Sequence, residues 1–301
     1  MIEILDWLKR IFAVSRRLLG GAPRYFFCRS FRFVFCLLFS IFGKENFVVM
    51  RVRVIQSNTR WQDVGHNLSQ LEAMIGLEVQ AGEMVVLPEM FSTGFCMEPQ
   101  SVADRGEVLG WMQRVAARLG CAIAGSVAVE AEDGYRNRLY FVKPDGVVEY
   151  YDKSHLFAYG GETACYTAGG RRVVVEWQGV RILLLVCFDL RFPVFARCRD
   201  DYDMILCVAN WPSVRMEAWN ILLRARAIEN QCYAVGVNRV GCDPVCEYVG
   251  GSMVVNPYGE VVASCGDKEC IAVGEVDMEF VTSYREKFSS VKSGDSFRLN
   301  L

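Results

Sequence analysis

The chain has 301 residues, of which 52% are hydrophobic, and its 33 basic residues nearly balance its 35 acidic ones. This length and apolar content predict a large core in one α/β domain. The balanced charge excludes the strongly basic surface that nucleic-acid-binding proteins use, and a total of two histidines excludes a histidine-rich metal site.

Residues 1–49 differ from the rest because basic residues recur there before an apolar run from Phe33 to Phe42. The run is shorter than the roughly 20 residues that a helix needs to span a bilayer, so we expect no stable membrane span. A basic, apolar leader and a membrane-surface segment are two interpretations of this extension. We favour a third, in which translation starts at Met50 and residues 50–301 form the domain.

From Met50 onward the pattern alternates apolar strands with amphipathic helices, as in a layered α/β fold. One predicted helix begins after Asp63 and ends at Gly82, and others cover about 104–119 and 214–230. Strands are predicted at 51–56, 84–87, 121–129, 138–142, 147–151, 173–177, 180–186, 204–209, 232–237, 252–255 and 260–263.

Three reactive or charged side chains, Glu89, Lys153 and Cys187, each lie within two residues of the end of a predicted strand. Side chains just past strand ends can converge on one crevice. A carboxylate can act as general base for a thiol, and a lysine can favour the thiolate and stabilise an oxyanion. The backbone N–H of Phe188 is a second candidate donor to that oxyanion.

The segments around these residues resemble the three signature segments of the nitrilase (carbon–nitrogen hydrolase) superfamily, in that family's order. They are Leu87-Pro88-Glu89-Met90-Phe91-Ser92-Thr93-Gly94-Phe95, Tyr151-Asp152-Lys153-Ser154-His155-Leu156-Phe157 and Val186-Cys187-Phe188-Asp189-Leu190-Arg191-Phe192-Pro193. Later blocks at 209–212 and 224–230 are also similar to that family. The resemblance extends from about Met50 to Phe288.

The resemblance implies that Glu89 is the general base, Lys153 the oxyanion stabiliser and Cys187 the nucleophile. It further implies that Glu162 orients Lys153 or the substrate, whereas a plain loop charge is the alternative for that residue. The fold implied is a four-layer α-β-β-α sandwich in a single domain, assembled as a homodimer or larger homo-oligomer. The implied chemistry requires no metal and no organic cofactor.

The segments at 233–241 and 284–288 resemble the bacterial ω-amidase-like branch of that superfamily. This implies hydrolysis of the terminal amide of small 2-oxo acids such as 2-oxoglutaramate, with release of ammonia through a cysteine thioester. Arg191 is a candidate for binding the substrate's carboxylate, or else a structural ion-pair partner. Trp211 is a candidate pocket wall, or else a core residue.

Alternatives within the superfamily are an N-carbamoyl-amine hydrolase and a nitrilase. A non-enzymatic alternative is a thiol redox sensor, in which Cys96, Cys165 or Cys198 lies near Cys187. The odd number of cysteines, thirteen, favours free thiols in a reducing compartment, so we expect a cytoplasmic protein. Cys242 and Cys246 form a lone CxxxC pair to which the sequence assigns no role. A Cys187–His155 dyad is a further alternative, without an evident third residue to orient the imidazole.

Overall fold

The structure is a computed structural model of the chain, and it describes residues 49–76 and 78–301. The predictions for residues 1–48, whether leader, surface segment or untranslated stretch, lie outside the described residues. Within the described ranges, no helix is both long enough and apolar enough to cross a membrane.

The first of two six-stranded sheets has parallel strands at its centre and antiparallel strands at its edges. Its strands are β1 (Val49–Gln56), β2 (Met84–Val86), β3 (Ala122–Ala131), β4 (Gly134–Val142), β5 (Val148–Asp152) and β14 (Cys270–Asp277). They lie in the order β14-β1-β2-β3-β4-β5. β1, β2 and β3 are mutually parallel, so the carboxyl ends of these central strands meet at one edge.

The second sheet repeats this plan. Its strands are β6 (Val174–Trp177), β7 (Val180–Val186), β8 (Met204–Val208), β9 (Tyr233–Val237), β12 (Met253–Val255) and β13 (Val261–Ser264), in the order β13-β12-β9-β8-β7-β6. Its central strands β7, β8 and β9 are parallel. A separate two-stranded ribbon joins β10 (Val240–Cys242) to β11 (Glu247–Val249).

Helices connect and cover these sheets. They are α1 (Val64–Ile75), α2 (Pro99–Val102), α3 (Glu107–Leu119), α4 (Glu162–Cys165), α5 (Pro193–Ala196), α6 (Met216–Asn230) and α7 (Met278–Lys287). Short 3₁₀ helices occur at Ala158–Gly160, Cys187–Arg191 and Ser213–Arg215. The last two directly follow β7 and the β8 loop, which places them beside the carboxyl ends of parallel strands.

Apolar side chains define four layers. One core joins the facing surfaces of the two sheets, with Val54 of the first sheet and Leu184 of the second among its buried members. Another joins the outer face of the first sheet to α1 and α3, through residues such as Leu71 and Trp111. α6 covers the second sheet so closely that a Cβ at Gly236 would lie 2.4 Å from Leu223 Cδ1. The predicted α-β-β-α sandwich is therefore confirmed.

The first helix is shorter than predicted, although its start is as expected. Asp63 caps it, because its Oδ1 accepts a hydrogen bond of 3.0 Å from the N–H of His66. The helix ends at Ile75 rather than at Gly82, and Glu78 takes a left-handed φ of 65° that an α-helix cannot contain.

No helix or strand is predicted after residue 263, yet β14 forms an edge of the first sheet. It pairs antiparallel with β1 over eight residue pairs, from Val49↔Asp277 to Gln56↔Cys270. Most of its residues are half-buried, so it shows neither a fully apolar run nor a clear alternation of burial. Its partner strand lies more than 200 residues away in sequence, and no local pattern could indicate that pairing.

Candidate active site

Glu89, Lys153 and Cys187 come together at one end of the sandwich. Lys153 Nζ lies 2.9 Å from Glu89 Oε1. All three residues line one cavity of about 120 Å³. Glu89 follows β2, Lys153 follows β5 and Cys187 follows β7, so the two sheets contribute to the same site. The structure thus places the three predicted side chains in one crevice at strand ends.

The floor of this cavity is a buried network of charged side chains: Glu89, Lys153 and Glu162 have no exposed side-chain surface. Lys153 Nζ donates to both oxygens of Glu162, at 3.1 and 2.9 Å, as well as to Glu89. Asn137 Nδ2 bridges the carboxylates, with bonds of 2.8 Å to Glu89 Oε1 and 3.0 Å to Glu162 Oε1. Two carboxylates thus enclose one ammonium group, and Glu162 is not a loop charge.

The loop after β8 fixes the second oxygen of Glu89. The backbone N–H of Asn210 donates to Glu89 Oε2 at 2.8 Å, and Asn210 Nδ2 donates to the backbone oxygen of Glu89 at 2.7 Å. The thiol of Cys187 donates to the backbone oxygen of Asn210 at 3.8 Å. Asn210 therefore holds the carboxylate and the thiol in a fixed relation to each other.

Cys187 lies on a sharp turn between β7 and the 3₁₀ helix Cys187–Arg191. Its φ is 47°, a left-handed conformation that is uncommon for a residue with a Cβ and occurs frequently at functional sites. Asp189 stabilises the turn, because its Oδ2 accepts a bond of 2.9 Å from the N–H of Val186. Phe188 is in the first turn of this helix, whose N–H groups have no partner within the helix.

The environment affects the two central ionisable groups in different ways. Burial opposes the charged form of Lys153, but Glu162 and Glu89 outweigh it and raise the pKa of Lys153 well above its ordinary value. Burial also raises the pKa of the Cys187 thiol well above its ordinary value; Glu89 adds to this effect, and Lys153 opposes it. The lysine therefore remains an ammonium group, and the resting cysteine is a thiol rather than a thiolate.

His155 does not pair with Cys187. Its Nδ1 lies 2.7 Å from Asp189 Oδ1, and its ring stacks on Phe192 with centroids 3.7 Å apart. Asp189 is the orienting residue that sequence reasoning did not find, but it holds the imidazole against the nucleophile's turn. Among the described residues, none of the hydrogen bonds of His155 involves Cys187. The geometry therefore favours a structural role for His155 over a Cys–His dyad.

The walls of the cavity include six aromatic side chains and two arginines. Arg191 stacks on Trp211, with its Cζ 4.9 Å from the ring centroid, and both residues line the cavity together with Phe188. Within the described ranges Arg191 has no ion pair, so the alternative role as a structural ion-pair partner has no support there. Trp211 combines the two predicted roles, because it is 2% exposed in the core and also forms part of the wall.

Arg215 also lines this cavity, and it was not predicted. Asn137, Asn210 and Asp189 were likewise not assigned functional roles from the sequence. Asn137 is one polar residue within a long strand, and nothing local distinguishes it. Asn210 had a weak signal, since it belongs to the block 209–212 that resembles the family.

Of the remaining candidate cysteines, one lines this cavity. Cys96, Cys165 and Cys198 do not line it, whereas Cys246 does. In the described ranges every cysteine is a free thiol, and no group of three or more His, Cys, Asp or Glu side chains is arranged to hold a metal ion.

Comparisons with known proteins identify relatives over nearly the whole described region. Residues 51–286 match the carbon–nitrogen hydrolase family. The chain is 45% identical to the omega-amidase YafV of Escherichia coli (strain K12), over 83% of this chain and 98% of that protein. It is 31% identical to the 2-oxoglutaramate amidase of Bacillus subtilis (strain 168), over the same shares of the two chains.

A similar solved structure is that of XC1258 from Xanthomonas campestris, described as a CN-hydrolase superfamily protein with an arsenic adduct in the active site. Its TM-score is 0.81 at 41% sequence identity, covering 83% of this chain and 99% of that one.

Proposed function

The chain belongs to the carbon–nitrogen hydrolase family, and we propose that it is an amidase of the ω-amidase type. Its substrates are then the terminal amides of small 2-oxo acids, such as 2-oxoglutaramate, and its products are the free acid and ammonia. The observation that carries the proposal is a thiol beside a buried Glu–Lys–Glu network in a small cavity that also holds arginine. The relatives named as omega-amidase and 2-oxoglutaramate amidase support the same substrate class.

In the first half of the reaction Glu89 is the general base. It takes the proton of the Cys187 thiol as the sulfur attacks the amide carbonyl, which is necessary because the raised pKa keeps the resting group a thiol. Lys153 Nζ and the N–H of Phe188 donate to the oxyanion that forms on the carbonyl oxygen. Glu89 then protonates the departing nitrogen, the C–N bond breaks, and ammonia leaves a thioester on Cys187.

In the second half a water molecule enters the position that ammonia has left. Glu89 takes a proton from this water as its oxygen attacks the thioester carbonyl, and the same donors stabilise the second oxyanion. The C–S bond then breaks, and Glu89 returns the proton to the sulfur. Every proton transfer is made by Glu89, so the cycle consumes only amide and water.

Glu162 positions Lys153 in this scheme. Its carboxylate accepts two bonds from Lys153 Nζ and one of 2.6 Å from the N–H of Phe157, which ties the ammonium group to the loop after β5. A lysine held on two sides loses little rotamer freedom when the oxyanion forms, which favours preorganised stabilisation.

Arg191 binds the carboxylate at the far end of the substrate, and Trp211 holds its guanidinium group in place. A guanidinium group stacked on an aromatic face keeps its N–H edge available for a bidentate bond to a carboxylate. The cavity of about 120 Å³ suits a small acid better than a long acyl chain.

We also propose that residues 50–301 form the hydrolase domain after an N-terminal extension of residues 1–49. A homodimer or larger homo-oligomer and a cytoplasmic location complete the proposal. The free thiols of the described cysteines support a reducing compartment. Light scattering during size-exclusion chromatography tests the oligomeric state.

An ammonia-release panel tests the proposed substrate class. The panel compares 2-oxoglutaramate, glutamine, an N-carbamoyl amine and a simple nitrile at equal concentration. We expect the highest kcat/KM for 2-oxoglutaramate. A higher value for the carbamoyl amine or the nitrile would replace the proposed function with one of the two alternatives in the same family.

A further inference from the structure

A second arginine in the active-site cavity has no role in the mechanism above. Arg215 ends the 3₁₀ helix Ser213–Arg215, on the loop after β8 that also carries Asn210, and its side chain is half-buried in the cavity wall. The same loop contacts Glu89 and Cys187 through Asn210. Arg215 is therefore part of the cavity wall and not of a remote part of the fold.

Aromatic rings, rather than carboxylates, hold the side chain of Arg215. Its Cζ lies 5.3 Å from the ring centroid of Phe157 and 5.3 Å from that of Tyr159. It has no ion pair within the part of the chain that the structure describes. A cation–π contact with an aromatic ring uses none of the hydrogen-bond donors of the guanidinium group, so its N–H groups stay available to an acceptor.

Trp211 links Arg215 to Arg191. The indole Nε1 of Trp211 donates a bond of 2.8 Å to the backbone oxygen of Arg215, while its ring carries the guanidinium of Arg191. Both arginines line the same cavity as the thiol. The indole therefore holds the guanidinium group of Arg191 and the backbone of Arg215, at a cavity whose floor holds the reacting groups.

Asp243, an acidic residue of the same cavity wall, is engaged elsewhere. Asp243 lines the cavity, but its Oδ1 accepts bonds from the N–H groups of Val245 and Cys246 at 2.8 and 2.7 Å, and its Oδ2 accepts a bond of 2.6 Å from Tyr248 Oη. These bonds hold the carboxylate within its own loop. The two arginines therefore offer more donors and more positive charge than the described walls use.

We infer that Arg215 is a specificity-determining residue, which binds the 2-oxo acid end of the substrate together with Arg191. This inference rests on the proposed function. A 2-oxo acid presents a carboxylate and a neighbouring carbonyl oxygen, all of them acceptors, to two guanidinium groups. A 2-amino acid amide such as glutamine presents an ammonium group at the same carbon, which offers no acceptor and is repelled by both arginines.

The variant Arg215→Met removes the charge and the donors but keeps an unbranched side chain. We expect kcat/KM for 2-oxoglutaramate to fall about 10- to 100-fold, mainly through a higher KM, because a charge-assisted bond to the substrate is lost. For butanamide, an uncharged amide, we expect a change of less than about threefold. The preference for 2-oxoglutaramate over glutamine should fall by about tenfold or more. Arg215→Lys keeps the charge without the bidentate geometry, so its preference for 2-oxoglutaramate over glutamine should lie between those of the unaltered enzyme and Arg215→Met.

Val214→Ala is the matched control, because Val214 is the exposed neighbour in the same turn and does not line the cavity. Val214→Ala should leave the preference for 2-oxoglutaramate over glutamine, and that over butanamide, unchanged. Equal losses on 2-oxoglutaramate and butanamide in Arg215→Met would indicate a structural role and overturn the inference. An unchanged preference over glutamine would overturn it as well.

Binding to the Cys187→Ala variant provides a measurement that does not depend on turnover. By calorimetry, we expect it to bind 2-oxoglutaramate at least about tenfold more tightly than glutamine, and the added Arg215→Lys change should narrow that difference. Equal affinities would contradict the inference. If the unaltered enzyme releases no ammonia from any 2-oxo acid amide, the proposed function fails. If the unaltered enzyme does release ammonia from these amides but the Arg215 variants keep the preference for 2-oxoglutaramate over glutamine, only this inference fails.

Discussion

The charged side chains on the floor of the active-site cavity and those in its wall are held in different ways. Here the mouth means the part of the wall that carries Arg191 and Arg215. On the floor, the side chains of Glu89, Lys153 and Glu162 are fully buried and bonded to one another. At the mouth, Arg191 and Arg215 are held by aromatic rings, with no ion pair in the described ranges. On the proposed function, the groups that are already paired carry out the reaction, whereas the groups that stay available bind the substrate.

This difference follows from where the residues lie in the fold. Among the floor residues, Glu89 follows β2 and Lys153 follows β5 of the first sheet, while Glu162 begins α4. Cys187 follows β7 of the second sheet, so the sandwich itself fixes the geometry of the thiol and of the two floor residues at strand ends. Arg215 lies on a loop after β8, and Arg191 ends a one-turn 3₁₀ helix. Loops held by a rigid scaffold can change their binding groups without disturbing the chemistry beneath them. We therefore expect substitutions on the floor to abolish turnover or stability, and substitutions at the mouth to change KM.

The largest expected effect is that of Cys187→Ala. Without the sulfur no thioester can form, so ammonia release should fall by about 10⁴-fold or more, while the melting temperature stays close to that of the unaltered protein. Coupled ammonia detection and thermal denaturation measure the two quantities. Cys242→Ala, at an exposed cysteine, should retain full activity. Residual activity in Cys187→Ala above a few per cent would show that Cys187 is not the nucleophile.

Lys153→Met tests how strongly the floor depends on its single cation. It leaves Glu89 and Glu162 buried side by side without their ammonium partner, so we expect a loss of about 3–5 kcal/mol in the free energy of unfolding, together with loss of activity. Urea denaturation measures the stability.

The matched control for Lys153→Met is Lys143→Met, which breaks the solvent-accessible pair Lys143–Glu149, whose side chains are 20% and 37% exposed. There we expect a loss of about 0–1 kcal/mol. Equal losses in the two variants would show that the buried network contributes no more than a surface ion pair.

At the mouth, Arg191→Met should raise KM for 2-oxoglutaramate about 10- to 100-fold with little change in kcat, because the lost interaction is made equally in the ground and transition states. Steady-state kinetics separate the two constants. Arg105→Met, at an exposed arginine outside the cavity, serves as the control. A large fall in kcat at unchanged KM would move Arg191 from substrate binding to the reaction itself.

The smallest expected effect is a shift in the pH dependence of alkylation. A free cysteine has a pKa of about 8.5. Because the pKa of Cys187 is raised, its thiolate forms at a higher pH than the thiolate of a free cysteine. The rate of modification by iodoacetamide at Cys187 should therefore still be rising above about pH 9. Glu89→Gln removes a negative charge that raises this pKa, so it should move the profile to lower pH. A plateau below pH 8 in the unaltered protein would contradict the raised pKa.

Much of the floor was predictable because it follows short, specific sequence patterns. Glu89, Lys153 and Cys187 each come after an apolar strand, and strand ends in such folds converge by geometry. The partners that hold them were not predictable. Asn137 lies 48 positions from Glu89 in sequence and Asn210 lies 121 positions away, and each is an ordinary polar residue until the fold brings it there.

The mouth was harder to predict for the same reason. Arg191 was found because it lies four residues after the nucleophile, whereas Arg215 was missed because its distance from Cys187 in sequence gives no indication of a shared cavity. Its significance comes from what surrounds it: two aromatic rings and no carboxylate partner in the described ranges. Only the assembled walls show that combination.

The most direct test of the central claim is the intact mass of the protein, quenched with acid during turnover of 2-oxoglutaramate. We expect a covalent adduct equal in mass to the substrate minus ammonia, located on the peptide that contains Cys187 and absent from Cys187→Ala. An adduct on another cysteine, or rapid ammonia release from a Cys187→Ala protein that carries no adduct, would contradict a thioester mechanism at this site.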